Sequence, residues 1–274
     1  MGRSLGERVQ KKLLKRLAFP ILNRFLSASG RHLYHYAPES DRLISITDFG
    51  SDTYRYLRTG EIDADRWWPA VRDLGIDGGT ILDVGANTGY VTAWLSALAD
   101  RVYAFEPHPD NVRLLEEHLR IRGISNVEIR ETAVGEREDP VTLYCKRRSG
   151  HHSLADIGGA SLGSIQVPCT TLDSFLRREG VREVRLLKID VEGFEPEVLR
   201  GARDALSSGR IQRVLFEFSP VFYRARGVDV RSPIDYLTGL GFDLFFTDGE
   251  IFVADDERAA EQCDVLAVGP SVQD

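Results

Sequence analysis

The sequence predicts an α/β fold, a doubly wound and mostly parallel sheet of seven strands with an N-terminal helical extension. From Thr80 onward, short apolar runs alternate with stretches of helical periodicity, which is typical of a parallel sheet covered by helices on both faces. The 274 residues are 42% hydrophobic and 28% charged, enough for one full-sized core. The sequence contains no run of about 18 apolar residues, so it predicts no transmembrane helix.

The predicted strands are short and rich in Val, Ile, Leu and Phe. They span residues 80–84, 101–105, 126–130, 184–190, 212–218, 242–247 and 264–268. The predicted helices span residues 89–99, 109–121, 195–206 and 232–239. Between residues 136 and 170 the helical period disappears. There, Val141–Cys145 and Ile165–Cys169 are expected to form an antiparallel insertion around a loop rich in Gly, Ser and His.

Three regions follow from these patterns. Residues 1–36 form a basic arm, residues 37–79 a helical lead-in, and residues 80–270 the main domain, with the insertion at about 136–170.

The arm is both basic and amphipathic. It holds eight of the 35 Lys and Arg residues and one acid, so it carries +7 and the remainder of the chain −14. Leu5, Val9, Leu13, Leu17 and Ile21 recur every fourth residue, which indicates an apolar helical face opposite the cations. We expect the arm to dock on a second subunit in a homodimer. The alternatives are that the arm docks on its own domain or that residues 1–30 lie on an anionic membrane surface.

Charge and cysteine content narrow the class of protein. A net charge of −7 argues against a nucleic-acid partner. The three cysteines, Cys145, Cys169 and Cys263, are far apart and form neither a disulfide framework nor a paired metal motif. They favour a reducing, cytoplasmic compartment, with the inner face of the membrane as the location if the arm binds lipid.

A glycine-containing turn follows the first strand of the main domain and leads directly into a helix. It reads Asp83-Val84-Gly85-Ala86-Asn87-Thr88-Gly89, which matches neither the GxGxxG pattern of dinucleotide binding nor a phosphate-binding P-loop. Glycines at such a turn let a ligand approach the backbone, and an acid at the strand end favours a cationic ligand over a pyrophosphate. S-adenosylmethionine, with an ammonium, a sulfonium and no phosphate, has that chemistry.

A second acid, Glu106, ends the next predicted strand. A carboxylate at this place can accept hydrogen bonds from both hydroxyls of an adenosine ribose. The alternative is that Asp83 only caps the helix and Glu106 is solvated. The two acids in this order predict a site for S-adenosylmethionine.

Three stretches resemble the FkbM-type family of S-adenosylmethionine-dependent methyltransferases, which have the class I methyltransferase fold. They are Asp83–Gly89, Phe105–Asn111 and Leu187–Glu195; Ala133–Gly135 and Thr171–Asp173 also match. The resemblance covers about residues 55–270 and leaves out the basic arm. It implies a seven-stranded sheet with the last strand antiparallel, and methyl transfer to a hydroxyl of a carbohydrate, glycolipid or natural product. One departure is that His118–Arg122 stands where such members often have Asn.

The resemblance also implies which residues bind the cofactor. Asp83, Gly85, Asn87 and Gly89 would hold the methionine part, Glu106 the ribose, and Ala133 would lie near the adenine. The predicted cofactor site also includes Thr88, Pro107, Asn111 and Asp190.

The acceptor side is predicted from two further strand ends. Asp190 and Glu217 end the fourth and fifth strands, so both carboxylates are expected at the carboxyl edge of the sheet. Lys188, in an apolar strand, needs a partner, either Asp190 or Glu192, and is either catalytic or part of a structural ion pair.

Removal of the acceptor proton needs a base. Asp190, Glu217 and the histidines of the loop Ser149–Leu154, His152 before His151, are the candidates. We expect the acceptor hydroxyl to lie between Asp190 and the loop that carries His152.

Three alternatives remain open at this point. A divalent metal could use Asp190, Glu217 and a loop histidine as ligands, but no compact metal-binding spacing occurs and no metal is expected. The protein could be a membrane-peripheral methyltransferase of a lipid-linked glycan. It could also be a non-catalytic cofactor-binding scaffold, because a fold does not fix a function.

Overall fold

A computed structural model describes residues 34–37, 42–45, 67–146, 152–154, 161–260 and 262–270. The chain divides into two units, residues 1–62 with 148–150 and residues 63–147 with 151–274. In the first unit, strand β1 (Tyr34–Ala37) pairs antiparallel with strand β2 (Arg42–Ser45). The predicted amphipathic helix of the arm lies outside the described residues.

The helical lead-in predicted for residues 37–79 differs from the structure where the two can be compared. Residues 42–45 are a strand, and the described part of the lead-in contains one short helix, α1 (Trp68–Asp73). The strand arises from pairing with β1, with Tyr34 opposite Ser45. Such an interaction between separate segments is not visible in helical periodicity.

The second unit alternates strands and helices along the chain. Its strands are β3 (Thr80–Val84), β4 (Arg101–Phe105), β5 (Val127–Arg130), β6 (Ala133–Val134), β7 (Val141–Lys146), β8 (Ser161–Val167), β9 (Cys169–Thr170), β10 (Leu186–Ile189), β11 (Arg213–Phe218), β12 (Asp243–Phe246) and β13 (Cys263–Val268). Its further helices are α2 (Tyr90–Leu95), α3 (Pro109–Arg122), α4 (Leu172–Arg178), α5 (Glu195–Arg200), α6 (Arg203–Ser207), α7 (Pro220–Ala225) and α8 (Ser232–Gly239), with a 3₁₀ turn at Glu257–Ala259.

Seven of these strands form one sheet in the order β12-β13-β11-β10-β3-β4-β5. Neighbouring strands from β11 to β5 run parallel, and β13 runs antiparallel to both β11 and β12. This confirms the predicted mostly parallel, seven-stranded α/β fold with an antiparallel last strand. The strand order reverses between β3 and β10, and ligands bind at such a switch point in open α/β sheets.

Both faces of the sheet are covered, as a doubly wound fold requires. Tyr103 and Phe105 of β4 belong to a large buried cluster with residues of α4, α5 and α6. Ala104, between them, belongs to a separate cluster with Leu115 and Leu119 of α3. Because successive side chains of a strand point to opposite faces, the two clusters lie on opposite sides of the sheet.

The insertion is an antiparallel hairpin of β7 and β8, with Val141 opposite Val167. The predicted strand Ile165–Cys169 is wrong at its C-terminal end. Pro168, which has no N–H for a ladder, separates β8 from Cys169–Thr170, and these two residues pair instead with Ala133–Val134 in a small parallel sheet.

The predicted helix 195–206 is divided into α5 and α6. The Asp173 carboxylate accepts hydrogen bonds from the backbone N–H groups of Asp204 and Ala205, at 2.9 Å each, and so supports the start of a second helix. Gly201 lies at the break between the two helices. No side chain fits there, because a Cβ would lie 2.0 Å from the carbonyl oxygen of Gly135.

Among the helices that the structure describes, none combines the length and the apolar character needed to cross a bilayer.

Candidate active site

The polar residues predicted for the site gather at the carboxyl ends of four neighbouring strands. Asp83 lies in β3 directly opposite Lys188 of β10. Glu106 and Asp190 immediately follow β4 and β10, and Glu217 lies near the end of β11. Parallel pairing therefore brings all five groups to one edge of the sheet.

The glycines of the turn both have a left-handed backbone and close neighbours within the protein. A Cβ on Gly85 (φ +86°) would lie 1.8 Å from the backbone oxygen of Asp190, and a Cβ on Gly89 (φ +85°) would lie 2.3 Å from Leu115 Cδ1. The turn therefore fits tightly between the end of β10 and helix α3. The sequence predicts close approach of a ligand at these glycines, and the neighbouring protein atoms are a second reason for them.

Asp83 lies in a buried charge network. Its Oδ2 accepts a 2.6 Å hydrogen bond from Thr92 Oγ1, and Lys188 Nζ lies 4.0 Å from its Oδ1. Lys188 Nζ also donates to Asp190 Oδ2 at 2.9 Å, which confirms one of the two predicted partners. Burial lowers the pKa of Lys188, but Asp190 and Asp83 more than reverse this, so the pKa is raised and the ammonium persists.

Two buried oxygen acceptors at the turn accept no hydrogen bond from any residue that the structure describes. They are Asp83 Oδ1 and Asn87 Oδ1. An unsatisfied buried acceptor costs about 1–3 kcal/mol, which a ligand that brings N–H donors would recover. Burial also raises the pKa of Asp83, and a nearby cation would oppose that shift. The donor chemistry of the turn therefore fits an ammonium-bearing ligand such as S-adenosylmethionine.

Glu106 joins two loops. Its Oε2 accepts the Asn87 N–H at 2.9 Å, and its Oε1 accepts the His108 N–H at 2.9 Å and the Asn111 amide at 3.2 Å. Burial nevertheless raises its pKa to about 7. A carboxylate offers about four acceptor positions, so three are used within the protein and one remains for a hydroxyl.

Three carboxylates define the acceptor side. One oxygen from each of Asp190, Glu192 and Glu217 lies within 4.8 Å of the others. Burial, followed by the charges of Asp190 and Glu192, raises the pKa of Glu217 well above its ordinary value. Glu217 therefore holds a proton to a higher pH than an ordinary glutamate does. Oxygen ligands at such spacing also suit a hard divalent cation.

The Glu192 carboxylate is positioned by a tight turn after β10. Glu192 has a left-handed backbone (φ +54°), an uncommon conformation for a residue with a side chain. The turn is held by Glu195, whose Oε1 accepts the N–H groups of Val191 and Gly193 at 3.1 and 3.2 Å. Glu195 thus fixes the loop that carries the acidic cluster.

His152, in the insertion loop, lies beside the segment that follows Glu106. Its ring stacks on His108, with centroids 4.3 Å apart and planes inclined by 13°. The next residue, Ser153, donates from Oγ to the Glu192 carbonyl at 3.2 Å. The insertion loop therefore contacts both the segment after Glu106 and the turn after β10. His151 lies outside the described residues.

Three further residues predicted for the cofactor site are Ala133, Pro107 and Thr88. Ala133, predicted near an adenine, is buried in β6 and packs with Leu143, Val167 and Cys169. Pro107 lies between Glu106 and His108. The carbonyl oxygen of Thr88 lies 3.0 Å from His118 Nδ1.

The residues of this site lie within a match to a known protein family. The methyltransferase FkbM domain matches residues 83–244, more than half of the chain, and the match includes all four strand ends described above. The chain belongs to the FkbM methyltransferase family. The resemblance seen in the sequence is confirmed.

Curated relatives of this FkbM protein are methyltransferases. Methyltransferase 1 of Beauveria bassiana is 28% identical over 47% of this chain and 60% of its own length. Hexuronic acid methyltransferase AglP of Haloferax volcanii is 31% identical over 46% of this chain and 51% of its own. The 2-O-methyltransferase NoeI of Sinorhizobium fredii is 22% identical over 47% and 60%. The chain therefore matches only 51–60% of the length of these relatives.

Among solved structures, a methyltransferase FkbM from Methylobacillus flagellatus is 17% identical to this FkbM protein. It covers 70% of this chain and 44% of its own, with a TM-score of 0.47.

Several residues that shape this FkbM site were missed by the sequence analysis. Thr92 bonds Asp83, His118 contacts the Thr88 carbonyl, Glu195 holds the turn after β10, and His108 stacks on His152. Glu195 and His108 had a signal, since both lie in matching stretches. Thr92 and His118 had none, because their roles depend on side-chain contacts that the motif does not contain.

Proposed function

We propose that this protein is an S-adenosylmethionine-dependent O-methyltransferase that acts on a hydroxyl of a carbohydrate, glycolipid or natural product. The observation that carries the proposal is the pair of buried acceptors without donors, Asp83 Oδ1 and Asn87 Oδ1, on the turn at the switch point of the sheet. Family membership supports the reaction class. Among its relatives, the hexuronic acid methyltransferase supports a sugar acid as acceptor, and the 2-O-methyltransferase supports transfer to an oxygen atom.

In this proposal the residues of the site have distinct roles. Asp83 and Asn87 would hold the ammonium end of the cofactor, and Glu106 would accept a ribose hydroxyl at its remaining acceptor position. Bound S-adenosylmethionine supplies a methyl group that forms a bond to the acceptor oxygen as its bond to sulfur breaks. Lys188 keeps Asp190 in place through the 2.9 Å ion pair, so Asp190 can accept a hydrogen bond from the acceptor.

Glu217 is the base that we favour for the acceptor proton. Its raised pKa brings it toward the operating pH, where general bases are most effective. Asp190 and His152 remain the alternative bases, although the stacking of His152 on His108 points to another role.

Calorimetry with S-adenosylhomocysteine tests the cofactor. We expect binding to the full chain and weaker binding to Glu106→Ala, which loses the one hydrogen bond from a ribose hydroxyl to a charged acceptor, about 1.5–3 kcal/mol. Glu116→Ala, an exposed acid on α3, is the matched control and should bind as the unsubstituted protein does. Folded protein that gives no heat at millimolar ligand would contradict the proposal.

Transfer of a labelled methyl group to a panel of hexoses, hexuronic acids and polyols tests the reaction. Glu217→Gln should lower kcat by about 10²–10⁴-fold with little change in cofactor affinity. Because the acid form of Glu217 is inactive as a base, the rate should rise with pH through a pKa above 4.5.

Chelation by EDTA tests for a metal ion. We expect EDTA to leave the rate of methyl transfer unchanged. A loss of rate would assign a cation to the carboxylates of Asp190, Glu192 and Glu217. Cofactor binding without transfer to any acceptor would favour a scaffold.

A further inference from the structure

The short segment His152–Leu154 of the insertion is fixed by three contacts within the protein. Ser153 pairs with Tyr144 of β7 through backbone hydrogen bonds of 2.8 and 3.3 Å. Its buried Oγ donates to the Glu192 carbonyl at 3.2 Å, and Leu154 packs against the apolar cluster of the hairpin. The His152 ring is therefore held where it lies, at the edge of the candidate site.

The ring that it meets is equally constrained. His108 is the N-cap of α3, and its Nδ1 accepts the Asp110 N–H at 3.3 Å. This bond requires an unprotonated Nδ1, and burial lowers the pKa of His108, which keeps the ring neutral. His152 thus stacks on a neutral ring of fixed orientation.

The stack bears directly on Glu106. The backbone N–H of His108 donates to Glu106 Oε1, so a displacement of His108 would displace the carboxylate proposed to bind the ribose. The ring contact between His152 and His108 links the insertion to the proposed cofactor side. The Ser153 bond to Glu192 links the same segment to the acceptor side.

We propose that His152 is a cofactor-positioning residue, which stacks on His108 and thereby holds the Glu106 loop in its ligand-binding conformation. The inference rests on the proposed S-adenosylmethionine binding. It differs from the role of general base, which requires the imidazole to reach the acceptor hydroxyl. A base must exchange a proton, whereas a stacking ring needs only an aromatic face.

The experiment is calorimetric titration of S-adenosylhomocysteine into the full chain and five variants. We expect His152→Ala to weaken binding by about 3–10-fold and His152→Phe, which keeps the stack but has no titratable nitrogen, to bind within about 2-fold of the unsubstituted protein. The matched control is Ser164→Ala, an exposed position on β8 of the same hairpin, which should leave the affinity unchanged.

A double-mutant cycle isolates the contact. The losses of affinity in His108→Ala and His152→Ala should not add in the double variant, because either substitution removes the same stack. Additive losses would overturn the proposal, as would a loss in His152→Ala that His152→Phe fails to restore. Unchanged or tighter binding by His152→Ala would also overturn it, and tighter binding would show that the stack competes with the ligand. Absence of binding to the unsubstituted protein would instead refute the proposed function.

Discussion

At the scale of single residues, the site shows that a recognised sequence motif can have a physical cause that the sequence does not reveal. Asp83, Gly85, Asn87 and Gly89 were identified from their order in the chain, and the FkbM match begins at Asp83. The glycines, however, make room for Asp190 and Leu115. A one-dimensional pattern contains no information on which segment approaches the turn.

The close approach at Gly85 makes a quantitative prediction. Gly85→Ala should destabilise the protein by at least about 2 kcal/mol more than Gly123→Ala, because its Cβ would overlap the Asp190 carbonyl. Gly123 is the matched control: its φ of +65° is also left-handed, but a Cβ there meets nothing within 4 Å. Its substitution should cost only the backbone strain of about 1–2 kcal/mol. Urea denaturation of both variants measures the difference, and equal losses would contradict the overlap.

At the scale of elements, helix α3 contacts the turn after β3 through its buried histidine, His118. His118 is almost fully buried, and its Nδ1 must donate to the Thr88 carbonyl, because a carbonyl can only accept. Its Nε2 is then an acceptor, and no described residue donates to it. In the sequence, the segment His118–Arg122 stands out only as a departure from the family pattern.

The burial of His118 predicts a loss of stability in acid. Burial lowers its pKa below the ordinary 6.5, so the unfolded chain takes up the proton first as the pH falls. The stability that neutral His118 provides is complete above about pH 6.5 and decreases below it, by about 1.4 kcal/mol for each unit by which the pKa is lowered.

His118→Phe removes this titration. The free energy of unfolding of the unsubstituted protein should therefore fall more between pH 7 and pH 5 than that of the variant. Comparing the two proteins cancels the contributions of Glu106 and Glu195, whose pKa values are raised to about 7 and act in the opposite direction. Parallel stability profiles in the two proteins would show that His118 does not titrate on unfolding.

At the scale of the whole molecule, charge is divided between a basic arm of +7 and a remainder of −14. We predict that the apolar face of residues 1–30 joins two subunits. Leu13→Asp with Leu17→Asp should convert a dimer into a monomer in light scattering, because charges cannot be buried in an apolar contact without partners. Lys11→Gln with Lys12→Gln and Lys15→Gln is the matched control, since it removes charge, keeps the apolar face and should leave the mass unchanged.

Vesicles containing anionic lipid provide the opposing measurement. An unchanged mass in the leucine variants, together with vesicle binding that the lysine variants lose, would assign the arm to the membrane surface.

By itself, the sequence determined the fold class, the FkbM family and the strand-end positions of Asp83 and Glu106, because strand periodicity and motif order are local properties of the chain. It also placed Asp190 and Glu217 at one edge, since neighbouring parallel strands end together. Only the tertiary structure decided that Asp173 divides the helix predicted at 195–206 and that His152 stacks on His108. These contacts depend on side chains that meet across segments about 30 to 45 residues apart, and no local pattern specifies such meetings.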